Sequence, residues 1–365
     1  MSLTVKLHTS IESVDRDGWN ALALKSRTPF YEWEWLALLE NSGSITPQNG
    51  WLPLHLTVED DGDLKAALPL YLKTHSHGEF VFDYGWADIA RQLEIPYYPK
   101  LVGTAPATPS GFYNLMTSGG AQRRELLDIA LDRLREFGDS QGTGALSFLF
   151  CDPAFSEGLE GFSPWVNQSF LMINRGYRSF EEYLAEFSKN QRRNIRREWA
   201  SLQDQGLEIR PLVGGELTPE VMRAMYRFYL RTNDKFGPWA ARFLNEEFFL
   251  RLPAYAAHRC VIFAALRPGA PAQEAVGMSM CVYKDQWLYG RYWGGDEEYR
   301  NLHFNACYYA PIHWMIEHGI RYFDPGAGSP HKLRRGFMPH EVVSYHRFQD
   351  PTLRGYFDSS MGEIN

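Results

Sequence analysis

The sequence predicts a mixed α/β (α+β) protein of two domains, on three observations. Its 365 residues exceed the ~250–300 at which a single hydrophobic core stops growing. Apolar residues make up 44% and aromatic residues 15%, against 22% charged, a composition able to fill large cores and far from that of a disordered chain. Short β-branched and aromatic runs alternate throughout with segments of helical period. A Gly-, Pro- and Ser-rich stretch from Asp152 to Pro164 is the expected boundary, giving domains 1–162 and 163–365.

In the first half a strand is expected at Leu3 to His8, with helices at Val14 to Leu24 and Glu32 to Glu40. Two strands follow, Leu52 to Val58 and Lys65 to Lys73, joined by Glu59-Asp60-Asp61-Gly62-Asp63, strong hairpin punctuation. Beyond the irregular segment Gly103 to Gly111 lie an amphipathic helix, Ala121 to Phe137, and an apolar strand, Ala145 to Phe150.

The second half is more legible. A strand (Val166 to Ile173), helices (Ser179 to Phe187, Ser188 to Gln205) and a strand (Leu207 to Leu212) precede a helix, Pro219 to Asn233. Three strand-like runs, Cys260 to Leu266, Glu274 to Tyr283 and Gln286 to Trp293, lead to a helix, Phe304 to His318, and a strand, Arg321 to Phe323. Helices early, then an antiparallel meander, then a β-α-β crossover resemble the element order of GNAT acyltransferases.

Several classes are excluded. No apolar run approaches the ~18–20 residues of a membrane helix, and Met1 to Ser10 lacks a basic region followed by an apolar stretch. Cys151, Cys260, Cys281 and Cys307 are widely spaced, without a metal-ligand pattern, and read as buried thiols of a cytoplasmic protein. His75 and His77 share a strand face with no third ligand, so no metal is expected. A net charge of -7 argues against DNA, so any polyanion must meet a local basic patch. There is no G-x-S-x-G and no Walker loop.

Three stretches carry chemistry. On a helix through Ser188 to Trp199, Lys189, Arg192, Arg193, Arg196 and Arg197 fall within a sector of about 140°, opposite Leu184, Ile195, Trp199 and Leu202. That face either meets phosphate or RNA or is solvated and paired with acidic neighbours. The strand ending Gly290-Arg291-Tyr292-Trp293-Gly294-Gly295, before a helix near His303, has the form of a backbone cradle for a phosphate or oxyanion, or of an ordinary strand-to-helix turn. In Asp324-Pro325-Gly326-Ala327-Gly328-Ser329-Pro330-His331-Lys332, a carboxylate at a strand end meets a sharp loop and then His331, Lys332 and Arg335. Asp324 or His331 is the expected base, the two approaching each other across the loop.

Taken in order, these stretches resemble the FemAB-like family of bacterial N-acyltransferases, within the GNAT superfamily and related to the Fem aminoacyl transferases. The resemblance runs through Gly50-Trp51-Leu52-Pro53, Pro69-Leu70-Tyr71-Leu72-Lys73, Gly78-Glu79-Phe80-Val81-Phe82-Asp83 and Tyr97-Tyr98-Pro99-Lys100. It continues through Arg192-Arg193-Asn194-Ile195-Arg196-Arg197-Glu198, Tyr289-Gly290-Arg291-Tyr292-Trp293-Gly294, Leu302-His303-Phe304 with Cys307-Tyr308-Tyr309, Pro325-Gly326-Ala327 with His331-Lys332, and Arg335-Gly336-Phe337. The chain departs from the family pattern at Leu171-Met172, before Asn174, and at Asn305, Ala310, Gly328 and Pro330.

The resemblance implies two tandem GNAT-like domains and transfer of an acyl or aminoacyl group from acyl-CoA or aminoacyl-tRNA to an amine, with no tightly bound cofactor. Such chemistry needs a phosphate cradle, donors aimed at an oxyanion, and a base. Arg291, Gly294 and Gly295, backed by His303, are assigned to the donor carbonyl and phosphates. Lys332, Arg335 and the basic helix are assigned to donor or acceptor anions. Asn174, Tyr308 and, in the first domain, Lys73, Glu79, Asp83 and Lys100 are the acceptor-side candidates. The alternative, which the departures favour, is an inactive GNAT-fold protein that binds RNA or a protein partner through the basic helix.

Overall fold

The structure is a computed structural model describing residues 3–119, 122–237, 241–296, 298–327 and 330–364. It divides into two compact units, Met1–Gln168 with Glu341–Asn365, and Ser169–His340.

The first unit begins with β1 (Leu3–His8), α1 (Arg16–Ala23) and α2 (Trp33–Asn41). Asp15 caps α1 by accepting from the Gly18 backbone N–H at 2.6 Å. The expected strand pair is present but each arm is divided, into β2 (Trp51–Pro53) and β3 (His55–Asp60), then β4 (Asp63–Leu68) and β5 (Leu70–Lys73). Asp61 and Gly62 turn the β3–β4 hairpin at φ 50° and 90°, as a tight two-residue turn requires. Pro53 and Pro69 mark the breaks, since proline cannot donate to a ladder. One half of each arm joins a sheet ordered β1-β3-β4-β7, and the other joins β2 and β5 to β6 and β8. Here α3 is Tyr84–Gln92, β6 Lys100–Gly103, β7 Met116–Thr117, α4 Arg123–Gln141 and β8 Ala145–Cys151.

The second unit is entered along β9 (Ser163–Ile173) and contains α5 (Phe180–Ala185), α6 (Lys189–Ala200), β10 (Glu208–Val213), α7 (Pro219–Asp234) and α8 (Glu246–Ala256). Ser179, Ser188, Thr218 and Asn245 cap these four helices with side-chain oxygens. The strands β11 (Cys260–Leu266), β12 (Gly277–Lys284) and β13 (Trp287–Gly295) complete an antiparallel meander with β10. From there α9 (Leu302–Phe304) passes through a π-helical turn, Asn305–Tyr309, into α10 (Ala310–Glu317). That crossover returns the chain as β14 (Tyr322–Asp324), parallel to β13. The order is the GNAT-like one expected.

The expected domain limits differ from these units at both ends. The C-terminal elements β15 (Met338–Phe348) and α11 (Pro351–Ile364) were not read in the sequence. Residues Val343 to Phe348 pair with β8, and Leu353 and Phe357 enter a core with Trp86, Tyr97 and Phe348, so the chain end completes the first unit. Cys151, Cys260 and Cys281 are buried and Cys307 half-buried, all as free thiols. Among the described residues no helix is long and apolar enough to cross a membrane.

Candidate functional site

In the second unit two parallel strands part. β13 and β14 pair through Trp287↔Tyr322, Leu288↔Phe323 and finally Tyr289↔Asp324. There β14 ends, while β13 continues to Gly295 against β12 alone. The register between β12 and β13 shifts at Met280/Cys281, which pair with Tyr292 and Gly290, leaving Arg291 as the extra residue of a bulge. A bulge re-aims a side chain, and here Arg291 Nη2 reaches Asp324 Oδ2 at 2.9 Å across the fork. Asp324 Oδ1 accepts from the Gly326 N–H at 2.8 Å. The loop then lies so close to β13 that a Cβ on Gly326 would stand 2.9 Å from Gly290 O. Lys332 Nζ secures that loop by donating to the carbonyls of Gly326 and Ala327 at 2.7 and 2.9 Å.

Beside the fork, the π-helical turn brings up Tyr308, whose hydroxyl is 3.0 Å from His331 Nε2. The His303 ring packs on Trp293 and Tyr308 at centroid distances of 4.9 and 5.4 Å, and lies 6.0 Å from that of His331. Burial, reinforced by the neighbouring His331 and Arg335, pushes His303 down to about 4, and burial also lowers His331. Both imidazoles are therefore neutral bases or acceptors at neutral pH. Behind them Arg335 Nη2 pairs with Glu198 Oε2 at 2.7 Å, Tyr309 donates to the same carboxylate, and the guanidinium stacks on Phe304 at 3.5 Å.

The structure thus gathers Arg291, Asp324, His303, His331 and Tyr308 around one fork, but in different pairs from those expected. Asp324 and His331 share no hydrogen bond among the described residues; Arg291 holds the first and Tyr308 the second. Gly328, named among the departures, and Ser329 lie outside the described residues. Lys332 and Arg335 are 1% and 3% exposed, Lys332 donating to backbone carbonyls and Arg335 to His331 O and Glu198, so both are tied into the fold around the site. Gly294 and Gly295 are not a loop: both are buried in β13, paired with Met278 and Gly277. A Cβ on Gly294 would stand 2.0 Å from Phe228 O, so α7 packing demands that glycine. Asn174, placed with the acceptor, instead holds a turn, donating to Ile320 O and accepting from the Gly176 and Tyr177 N–H groups.

The basic helix forms as read. Ile195 is buried, Leu184 and Leu202 lie beneath, and Lys189, Arg193, Arg196 and Arg197 are exposed. Three of its cations have internal partners: Arg196 pairs with Glu181, Arg192 Nη1 donates to Phe187 O at 2.7 Å, and Arg197 Nη2 donates to Asn194 Oδ1 at 3.4 Å.

The four first-unit candidates converge on one buried cluster. Lys100 Nζ lies 2.7 Å from Glu79 Oε2, 2.5 Å from Asp83 Oδ2 and 2.8 Å from Ser76 Oγ. Tyr97 donates to Asp83 at 2.6 Å. Lys73 Nζ sits 3.3 Å from the Trp51 ring centroid and 4.0 Å from Glu79. All four charged residues are at most 1% exposed. Burial lowers Lys73 to about 7 and raises Glu79, while the two carboxylates lift Lys100 against its own burial. Such a network holds β5, β6 and the start of α3 together, with no solvent-facing group for an acceptor. Ser76 and Tyr97 were missed as its members, although Tyr97 stands in a quoted motif. Glu198 stands at the end of a quoted stretch but was missed as the partner of Arg335, since nothing local to α6 points to a residue so distant in sequence.

The sequence profile of the FemAB-like family, described as peptidoglycan biosynthesis/recognition, matches residues 10–363. No curated protein matches the chain. Among solved structures the chain is similar to FemX, at TM-score 0.58 and 12% identity, over 98% of this chain and 100% of that one. It is also similar to the C-terminal domain of a putative lysylphosphatidylglycerol synthetase from Agrobacterium fabrum, at TM-score 0.55 and 9% identity over 96% and 97%. L-PGS from Bacillus licheniformis matches at TM-score 0.54 and 10% identity over 95% and 96%. These likenesses show a shared fold, and the profile spans nearly the whole sequence: the chain belongs to the FemAB-like family.

Proposed function

We propose that the protein is an N-acyltransferase moving an acyl or aminoacyl group from acyl-CoA or aminoacyl-tRNA to an amine, in the cytoplasm and in peptidoglycan or cell-envelope metabolism. The observation that carries this reading is the fork beyond Tyr289↔Asp324, where the pairing of β13 with β14 ends beside two neutral imidazoles. Backbone N–H groups of β13 beyond the fork hold the donor carbonyl and the oxyanion that forms when the amine adds. The new C–N bond makes the attacking nitrogen strongly acidic, so a base of lowered pKa suffices to take its proton. His331, oriented by Tyr308, accepts that proton and returns it to the departing thiolate or ribose oxygen as the C–S or C–O bond breaks. Arg291, Asp324 and Lys332 keep the fork open by fixing the loop, and the exposed cations of α6 meet the donor's phosphates. Family membership supports the reaction class.

The test is thermal shift of the full chain with acetyl-CoA, longer acyl-CoAs, and charged and uncharged tRNA, since a ligand that binds only the folded state stabilises it. The stabilising donor is then incubated with an amine acceptor and turnover is measured. Stabilisation and transfer by one donor class is the expected result. No shift with any donor overturns the proposal, and binding by charged and uncharged tRNA alike without transfer favours a non-catalytic RNA-binding protein.

A further inference from the structure

The first unit contains a cavity of about 360 Å³ that shares no residue with the fork or with the buried Lys100 cluster. Its volume lies within the usual range for small-molecule sites. One side is apolar and buried, formed by Leu22, Leu115 and Met116, which are 4%, 3% and 5% exposed. The other side carries three cations, Lys25, Arg27 and Arg123, against the single carboxylate of Asp152. Among the lining side chains two positive charges are in excess, while Glu157 acts on Arg123 from outside the lining.

These cations are held in place around the hollow. Arg123, the first residue of the 19-residue helix α4, donates to Leu115 O at 3.0 Å and Asn114 Oδ1 at 2.5 Å, through two of a guanidinium's five N–H groups. Lys25 donates to Ser118 O. Arg27 lies over the Phe112 ring at 4.7 Å and pairs with Asp152 at 3.7 Å. Three cations around one apolar hollow repel one another, Asp152 offsets one of them, and the positive end of α4 adds to the remaining field, so the hollow favours an anion.

We infer that this cavity is a binding site for a phosphate monoester bearing an apolar group. The phosphate's two charges match the excess, its oxygens suit the two guanidinium forks, and the apolar group takes the Leu22, Leu115 and Met116 side. This site is independent of the acyl-transfer reading, because its occupancy is measured without donor, acceptor or turnover.

The experiment titrates the full chain with phenyl phosphate, following Met116 and Leu115 methyl signals by NMR. Inorganic phosphate, benzoate and benzyl alcohol serve as comparisons. Saturable shifts at these methyls are expected, strongest with phenyl phosphate. Lys25→Gln and Arg27→Gln each weaken binding about tenfold, the scale of one charge-assisted hydrogen bond. Both residues are exposed, so the variants retain the fold, which a thermal melt checks. The inference is overturned if phenyl phosphate gives no saturable shift at millimolar concentration, or if both variants bind as the parent does. It is equally overturned if benzyl alcohol binds as well as phenyl phosphate, which marks a plain apolar hollow, or if inorganic phosphate does, which marks a charged surface only.

Discussion

Arg291 and Asp324 meet at 2.9 Å across the point where β13 and β14 stop pairing, with side chains 2% and 12% exposed. The bulge puts Arg291 there, and the end of a short parallel strand puts Asp324 there. A charge pair this buried is costly to break by halves, because the remaining partner is left desolvated. Asp324→Asn is therefore expected to lower stability by ~3–5 kcal/mol in urea denaturation. Near-wild-type stability with lost turnover would return Asp324 to a direct role in proton transfer.

His331→Ala, by contrast, removes a half-buried group at the edge of the fork and should fold normally. Turnover should fall by ~10² or more, the scale of a lost general base. Burial lowers His331 and His303 in the folded state, so the acid limb of kcat/KM should lie below pH 6.5. An acid limb at or above that value in the wild type, or an unchanged rate in the variant, removes His331 from the mechanism.

Gly294→Val should fail to fold or should melt far below the parent. The added atoms meet the Phe228 backbone at 2.0 Å, and a backbone carbonyl cannot step aside as a flexible side chain can. Soluble, parent-like Gly294→Val would contradict the packing of α7 on β13.

Acid stability should depend on His346, which is 2% exposed with Nδ1 2.9 Å from Ser147 Oγ. Burial pushes it to about 3, below the ~6.5 of an unfolded chain. With the folded value depressed, its contribution is present in full above pH 6.5 and erodes as pH falls toward 3, by up to ~1.4 kcal/mol per pH unit. His346→Gln should flatten the decline of unfolding free energy over that window. An unchanged slope would mean that His346 takes up no extra proton on unfolding.

On α6 the informative cations are Lys189 and Arg193, both exposed, because Arg192 and Arg196 already serve Phe187 and Glu181. Lys189→Gln with Arg193→Gln should weaken binding of the polyanionic donor and reduce its log–log salt slope by ~2, about one for each phosphate no longer neutralised. An identical slope would make this a solvated face.

Elements whose signal is local were legible. Cys260–Leu266 matches the expected strand, and α6 shows the expected division into a buried Ile195 side and a basic side. α3, α8, β15 and α11 were not read, and the strand expected over Lys65 to Lys73 divides at Pro69 between two sheets. The site was legible as residue types but not as pairs. Asp324 and His331 are near in sequence, yet their partners, Arg291 and Tyr308, come from a bulge and a π-helical turn that no short motif announces.

By itself the sequence determined the family, the mixed α/β class, the GNAT-like order of the second half and the basic face of α6. Each depends on periodicity, turn chemistry or residue identity along a short stretch. Only the tertiary structure decided which charges are spent on the fold and which face a cleft. Lys332 and Arg335 look like anion binders in the chain, but burial among carbonyls and Glu198 commits them to structure. The return of residues 343–348 to β8 likewise depends on a pairing some two hundred residues apart, which no local pattern encodes. A buried polar group must find its partner wherever the fold puts one.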